Sequence, residues 1–345
     1  MTAQYKRAAR KSRGALGACD LMRGMAVTVR SFAKVNLGLR IGPSRPDGFH
    51  ELLTIYQTIG LHDVIRVSVG RGAGVEIRCD DPRVPNDESN TCFRIIEMAR
   101  PVLRAKGRVL VEIEKRLPVQ GGLGGASSNA VAALLGVERV LKKSLPPAER
   151  LRIAAEVGSD LPLFLIGGTV LGIGRGEHVY PLPDLPPIPC VVLTPEVGVS
   201  TPHAFGEWDR RKLTLPAVSD RMNELGRALS VWLSVPYSGA PSPVRGRGRA
   251  ENPLLELVRA GIENDFEQVV FPEYPKLREG KHALERAGAE YASLSGSGSA
   301  LYGLFRSRQA AATAAARLRR QGWAAQATIT LPRQAYGQKF LVSSF

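Results

Sequence analysis

The sequence has few of the features that mark a membrane protein, a disulfide scaffold or a zinc fold. No apolar run reaches the length of about 18 residues that a membrane span needs, so no membrane partner is expected. Only four cysteines occur, at 19, 79, 92 and 190, with no Cys-x-x-Cys pair and no histidine at metal-ligand spacing. That pattern gives no sign of structural zinc and predicts buried or free thiols in a reducing cytoplasm. Residues 1–24 lack the continuous apolar segment of a secretory signal. They are expected to be a disordered basic extension, or the product of a start assigned too early with Met25 opening the folded part; an organelle-targeting peptide is a third reading. No internal repeat is evident.

What is present is an ordinary globular composition, 44% hydrophobic and 23% charged, in a chain of 345 residues that is too long for one typical core. Two domains are expected, 25–185 and 186–345, meeting at 181–189, where five prolines fall in nine residues. The formal net charge is +15, of which residues 1–24 supply +5 through six basic residues against Asp20. Arg245, Arg247 and Arg249 cluster in a Pro-, Gly- and Ser-rich stretch, 234–252, that reads as a mobile surface loop. The mildly basic remainder suits a protein handling polyphosphates, or simply a basic proteome. A noncatalytic RNA-binding protein would need basic residues interleaved with aromatics on one face. Here the basicity lies mainly in segments read as flexible, so no nucleic-acid partner is expected.

Apolar alternation predicts strands over 27–32, 37–41, 52–59, 64–69, 75–79 and 108–114, with a turn at 43–50. Ser89 or Asn90 is placed to cap a helix running to about Arg100, where Pro101 would kink or end it. Helices are expected at 127–142 and 147–157, the second broken by 158–162. The apolar, glycine-punctuated segment 163–180 reads as strands turning back. After a strand at 188–194 come helices, strands at 290–294 and 300–305, a helix at 307–320 and a strand at 324–331. That ending fits a ferredoxin-like α+β sandwich.

The chain is organised around 115–130, where four glycines (Gly121, Gly122, Gly124, Gly125) fall within five positions between a strand and a helix. Glycine admits positive φ and close backbone approach, and a helix N-terminus carries roughly half a positive charge with unpaired donors. Such a turn suits a phosphate, although an ordinary glycine-rich turn has the same look. Ser127, Ser128 and Asn129 stand where the helix begins and can cap it or reach a phosphate or its Mg2+. No Gly-Lys-Ser or Gly-Lys-Thr follows, and no Gly-x-Gly-x-x-Gly opens the helix, so neither a Walker loop nor a dinucleotide fingerprint is present. Lys34 and Asp160 each interrupt an apolar segment at a chain turn. A carboxylate near a hydroxyl can take its proton, and an adjacent ammonium holds that carboxylate ionised. Taken alone, each is equally a surface charge or a turn residue.

Three stretches together resemble the motifs of the GHMP kinases: Ala33-Lys34-Val35-Asn36-Leu37, the loop from Pro118 to Ala130, and Leu294-Ser295-Gly296-Ser297-Gly298-Ser299-Ala300. With Arg45-Pro46-Asp47-Gly48-Phe49-His50-Glu51-Leu52, Gly158-Ser159-Asp160-Leu161-Pro162, Val199-Ser200-Thr201-Pro202 and Glu263-Asn264-Asp265-Phe266-Glu267, the resemblance narrows to the 4-diphosphocytidyl-2-C-methyl-D-erythritol kinase family and extends over about 27–306. It implies an α+β, two-domain fold, with a ribosomal-S5-like N-terminal domain of left-handed βαβ type and a ferredoxin-like C-terminal sandwich. It also implies a soluble, cytoplasmic enzyme, monomer or weak homodimer, that uses ATP and Mg2+ to phosphorylate the 2-hydroxyl of a cytidine-diphosphate-linked sugar alcohol.

On that resemblance Lys34 and Asp160 are the catalytic pair. Pro118, Val119, Gln120, Gly121, Gly122, Leu123, Gly124, Gly125, Ala126, Ser127, Ser128 and Asn129, with Gly296, Ser297 and Gly298, hold the nucleotide. Ser128 reaches the metal through ATP. Asn36, Phe49, His50 and Thr201 hold the substrate, Phe49 by stacking on cytosine and His50 at the base edge. Three positions depart from the family pattern. Ala126 stands for a glycine, so a positive φ there would be strained; Gln120 stands for a small residue; and Phe49 stands for a tyrosine. Mevalonate or homoserine kinases are the nearest alternative, against which the Asp47-Gly48-Phe49-His50 loop argues, since those substrates offer no base to stack.

Overall fold

The computed structural model describes residues 26–211, 222–223, 225–227 and 262–341; the expected extension 1–24 and loop 234–252 lie outside the described residues. Two very long strands, β1 (Val27–Ser44) and β2 (His50–Gly70), form an antiparallel hairpin that frames the whole molecule. Each replaces two shorter strands expected from the sequence. The apolar alternation breaks where the β1–β2 register shifts, between Phe32 and Lys34 and between Asn36 and Gly38, so the strand bends at these irregularities without ending.

On its other edge β2 takes two partners in succession. Residues 52–57 pair with β5 (Thr169–Gly174), and 64–70 pair with β4 (Arg108–Glu114). β3 (Val75–Cys79) runs parallel to β4 with α1 (Thr91–Leu103) as the crossover, and β6 (His178–Pro181) closes the far edge. Pro101 sits inside α1, which continues to Leu103 and ends at Arg104 in left-handed conformation. Across this sheet lies α2 (Gly125–Leu141), and α3 (Pro147–Val157) packs against α1. On α2, Ala130, Val131, Leu134 and Val137 are fully buried with Val67, Val109 and Val111.

Residues 161–166, read from the sequence as the end of a break at 158–162 and the start of strands from 163, form a short helix, α4 (Leu161–Ile166). Periodicity cannot separate a buried strand from a buried helix in so short an apolar run. Here Pro162 in the first turn favours helical entry, and Gly167 at φ +69° ends it.

After the proline-rich connection come β7 (Pro189–Leu193), α5 (Thr201–Arg210), α6 (Glu267–Glu273), α7 (Pro275–Arg286), β8 (Tyr291–Leu294), β9 (Leu301–Leu304), α8 (Arg308–Arg320) and β10 (Ala325–Ile329). The strands make an antiparallel sheet in the order β10-β7-β9-β8. A last helix, α9 (Arg333–Phe340), absent from the sequence reading, returns to the first sheet, where the Tyr336 hydroxyl donates to Phe164 O at 2.7 Å. β1 belongs to both cores: Val29 packs in the first, Leu39 and Ile41 in the second. Among the described residues no helix is long and apolar enough to cross a membrane.

Candidate active site

The irregularity in β1 brings Lys34 against the glycine loop, its amide donating to Leu123 O at 3.0 Å. Its buried ammonium donates to Asn36 Oδ1 at 2.7 Å and lies 3.3 Å from Asp160 Oδ2. Asp160, placed immediately before α4, is about one-third exposed, so one carboxylate faces both the lysine and an opening. The two residues singled out from sequence therefore meet, although 126 positions separate them. A third residue, missed from sequence, completes the group: the Tyr56 hydroxyl donates to Asp160 Oδ1 at 3.1 Å, and Lys34 Nζ sits 5.5 Å from its ring centre. Burial, reinforced by the Asp160 charge, pushes the Tyr56 phenol well above 10.0, so it remains a donor. In sequence Tyr56 is one more apolar residue of a strand, and only the fold turns its hydroxyl toward an acid.

The glycine loop forms one wall of a cleft of about 290 Å³ that also receives Asn90, Thr91 and Lys115. Two glycines here have no substitute. Gly122 has φ +71°, and a Cβ on it would fall 2.1 Å from Ser295 O; Gly124 has φ +70° and would meet Phe164 at 2.8 Å. The third motif is fastened directly to the loop, Ala300 N donating to Gly121 O at 3.0 Å and Ser295 Oγ to Gly122 O at 2.9 Å. Asn264 holds that motif in turn, donating to Leu294 O and Gly296 O. Ala126 lies in the first turn of α2 and has no positive φ; the non-glycine loop residue that does is Gln120, at φ 58°.

Beneath the loop, Ser128 and Asn129 are buried and turn toward β1. Ser31 Oγ donates to Asn129 Oδ1 at 2.6 Å and shares a 2.7 Å hydrogen bond with Ser128 Oγ. Asn129 donates to Asp63, a fully buried carboxylate that also receives Lys115 Nζ at 2.7 Å and the amides of Arg116 and Leu117. Asp63 thus positions both the start of α2 and the lysine in the cleft. The available signal was an acid interrupting an apolar strand. Ser127, in contrast to Ser128, lines the cleft.

Asn36 is buried and donates to Thr54 Oγ1 at 2.8 Å. Thr201 opens α5 and shares a 2.7 Å hydrogen bond with Ser297, beside a second cleft of about 360 Å³ walled by Gln120, Gly122 and Gly298. Phe49 is half exposed, with the Arg175 guanidinium 4.9 Å from its ring centre. His50 is buried, stacked on Phe205 at 5.0 Å and 2.8 Å from Asp209 Oδ1.

Comparison with known proteins decides the family. Models of the GHMP kinase N-terminal domain and the GHMP kinase C-terminal region match residues 90–168 and 250–324. A 4-diphosphocytidyl-2-C-methyl-D-erythritol kinase of Solibacter usitatus is 40% identical over 282 residues, 82% of each chain. The chain belongs to the 4-diphosphocytidyl-2-C-methyl-D-erythritol kinase family of GHMP kinases. A crystal structure of a 4-(cytidine 5'-diphospho)-2C-methyl-D-erythritol kinase is 28% identical and superposes with a TM-score of 0.66, covering 88% of this chain and 98% of its own. A homoserine kinase from Cytophaga hutchinsonii, 20% identical, superposes at 0.67 over 90% of this chain and 96% of its own, a likeness of fold alone. The two-domain α+β architecture of the family is the one described above.

Proposed function

We propose that the chain uses ATP to phosphorylate the 2-hydroxyl of 4-diphosphocytidyl-2-C-methyl-D-erythritol, a step of the non-mevalonate route to isoprenoid precursors. The observation that carries this is the convergence of Lys34, Asp160 and the 118–129 loop. Residues 25–185 serve as the ATP-binding domain and 186–345 as the C-terminal domain. The fit to ATP rests on the loop: its glycines leave no room for side chains, and its helix start offers amides to the phosphates. Pro118 to Asn129 and Gly296 to Gly298 form that site, with Lys115 inside the same cleft.

Phosphoryl transfer demands mainly positioning and neutralisation of charge. Asp160 accepts the proton of the 2-hydroxyl as its oxygen bonds the γ-phosphorus and the bond to the β-phosphate oxygen breaks. Lys34 faces the Asp160 carboxylate and offsets charge on the transferring group, while Tyr56 orients the carboxylate. Mg2+ accompanies the nucleotide in such reactions and neutralises its β- and γ-phosphates when bound. The Ser127 hydroxyl on the cleft wall is a hard oxygen donor that would hold it. Ser128 would ligate only by releasing Ser31. Asn36, Phe49, His50 and Thr201 hold the substrate, with Phe49 and His50 on the cytosine.

Purified protein incubated with ATP and Mg2+ and either the cytidylated alcohol or mevalonate, followed by 31P NMR, tests the reading. A new phosphomonoester from the cytidylated alcohol is expected, and turnover of mevalonate alone would overturn it.

A further inference from the structure

His50 is only 5% exposed, and its hydrogen bonding is settled by its neighbours. Nε2 lies 2.8 Å from Asp209 Oδ1 and 3.2 Å from Ser44 Oγ. An ionised carboxylate can only accept, so Nε2 carries the hydrogen. In the neutral ring Nδ1 is then left as an acceptor, and no described residue donates to it. Asp209 lies on α5 one turn after Phe205, whose ring stacks on His50 at an interplanar angle of 10°. One helix therefore holds the plane of the imidazole and also sets its proton.

We propose that Asp209 is a positioning residue for base selection: by holding His50 as the Nε2–H tautomer it leaves Nδ1 to accept the exocyclic amine of cytosine. Uracil in the same pose would set the lone pairs of its 4-oxo group against that of Nδ1. A site built to hydrogen-bond one polar group rejects an analogue that leaves its own groups unpaired. The inference rests on the cytidine reading above and extends it to the residue behind the contact.

The test uses full-length protein at pH 8, with an unhydrolysable ATP analogue saturating the nucleotide site. Calorimetry measures Kd for cytidine diphosphate and uridine diphosphate, and 15N NMR of the imidazoles reads the tautomer of His50 among the five histidines of the chain. Wild type is expected to show Nε2–H and to prefer the cytidine ligand. In Asp209→Asn, whose amide can donate to Nε2 and stabilise the other tautomer, the spectrum should shift toward Nδ1–H. The cytidine preference should fall at least tenfold while ATP-analogue affinity stays unchanged. An Nδ1–H ring in wild type, or an unaltered preference in the variant, would sink the proposal. Failure of the kinase reading registers separately, as absent phosphoryl transfer to the cytidylated alcohol.

Discussion

Tyr56 differs from Phe by one oxygen, and that oxygen donates to Asp160. Hydrogen bonds to charged groups contribute roughly 1.5–3 kcal/mol. Tyr56→Phe should therefore lower kcat/KM about tenfold or more in steady-state assays while leaving the fold intact, because the ring still fills its place. The phenols of Tyr56, Tyr291, Tyr302 and Tyr336 are all raised above 10.0, first by burial. Raised folded values leave stability unaffected while the unfolded phenols keep their protons, and remove it as pH climbs past the unfolded value. Thermal melts should accordingly hold a steady Tm through pH 8–9 and decline above pH 10. Tyr336→Phe should lessen that decline. Cys92, its thiol pushed up to about 12 by burial and by the nearby Asp63 carboxylate, should resist thiol reagents in the folded protein.

At the scale of elements, the strand–loop–helix from β4 to α2 is the part most open to a single substitution. Gly122→Ala would force a side chain onto Ser295 O at a positive φ, a conformation costing roughly 1–2 kcal/mol even without the clash. A rise of at least tenfold in KM for ATP is expected, and Gly70→Ala, which meets nothing within 4 Å, should leave it unaltered. Elements with strong local signals were legible: β3, β4 and α3 fall where the apolar pattern places them, and α1 begins after Asn90, whose side chain accepts from Cys92 N. Long β1 and β2 were not, because irregular pairing interrupts alternation without ending a strand. The apolar run of α4 carried no periodic signal, and α9 is held in place by tertiary contacts such as Tyr336 on Phe164. At the candidate site, Lys34 and Asp160 were legible as charges interrupting apolar segments. Tyr56 and Lys115 acquire their positions only through partners distant in sequence.

Over the whole molecule, what joins the two sheets also shapes the site. Arg40 of β1 reaches Asp265 Oδ1 at 2.9 Å and Glu263 Oε2 at 3.0 Å, and Asp265 Oδ2 takes the amide of Ile41. The neighbouring Asn264 grips the third motif against the glycine loop. Removing Asp265 takes a buried acceptor from Arg40, which keeps Glu263, and from the Ile41 amide, so the cost falls below that of stranding a buried charge and is about 1–3 kcal/mol. Asp265→Ala should lower Tm by roughly 2–12 °C at about 2–4 °C per kcal/mol for domains of this size. An unchanged melt would show that the two sheets do not depend on this tie.

The central claim is that Asp160 serves the chemical step beside a separately built nucleotide site. Single-turnover phosphorylation of the cytidylated alcohol by Asp160→Asn, with ATP-analogue affinity measured on the same preparation, tests it most directly. The account predicts a rate reduced by about 10²–10⁴ with nucleotide affinity retained. A variant that transfers phosphate at the wild-type rate would contradict it.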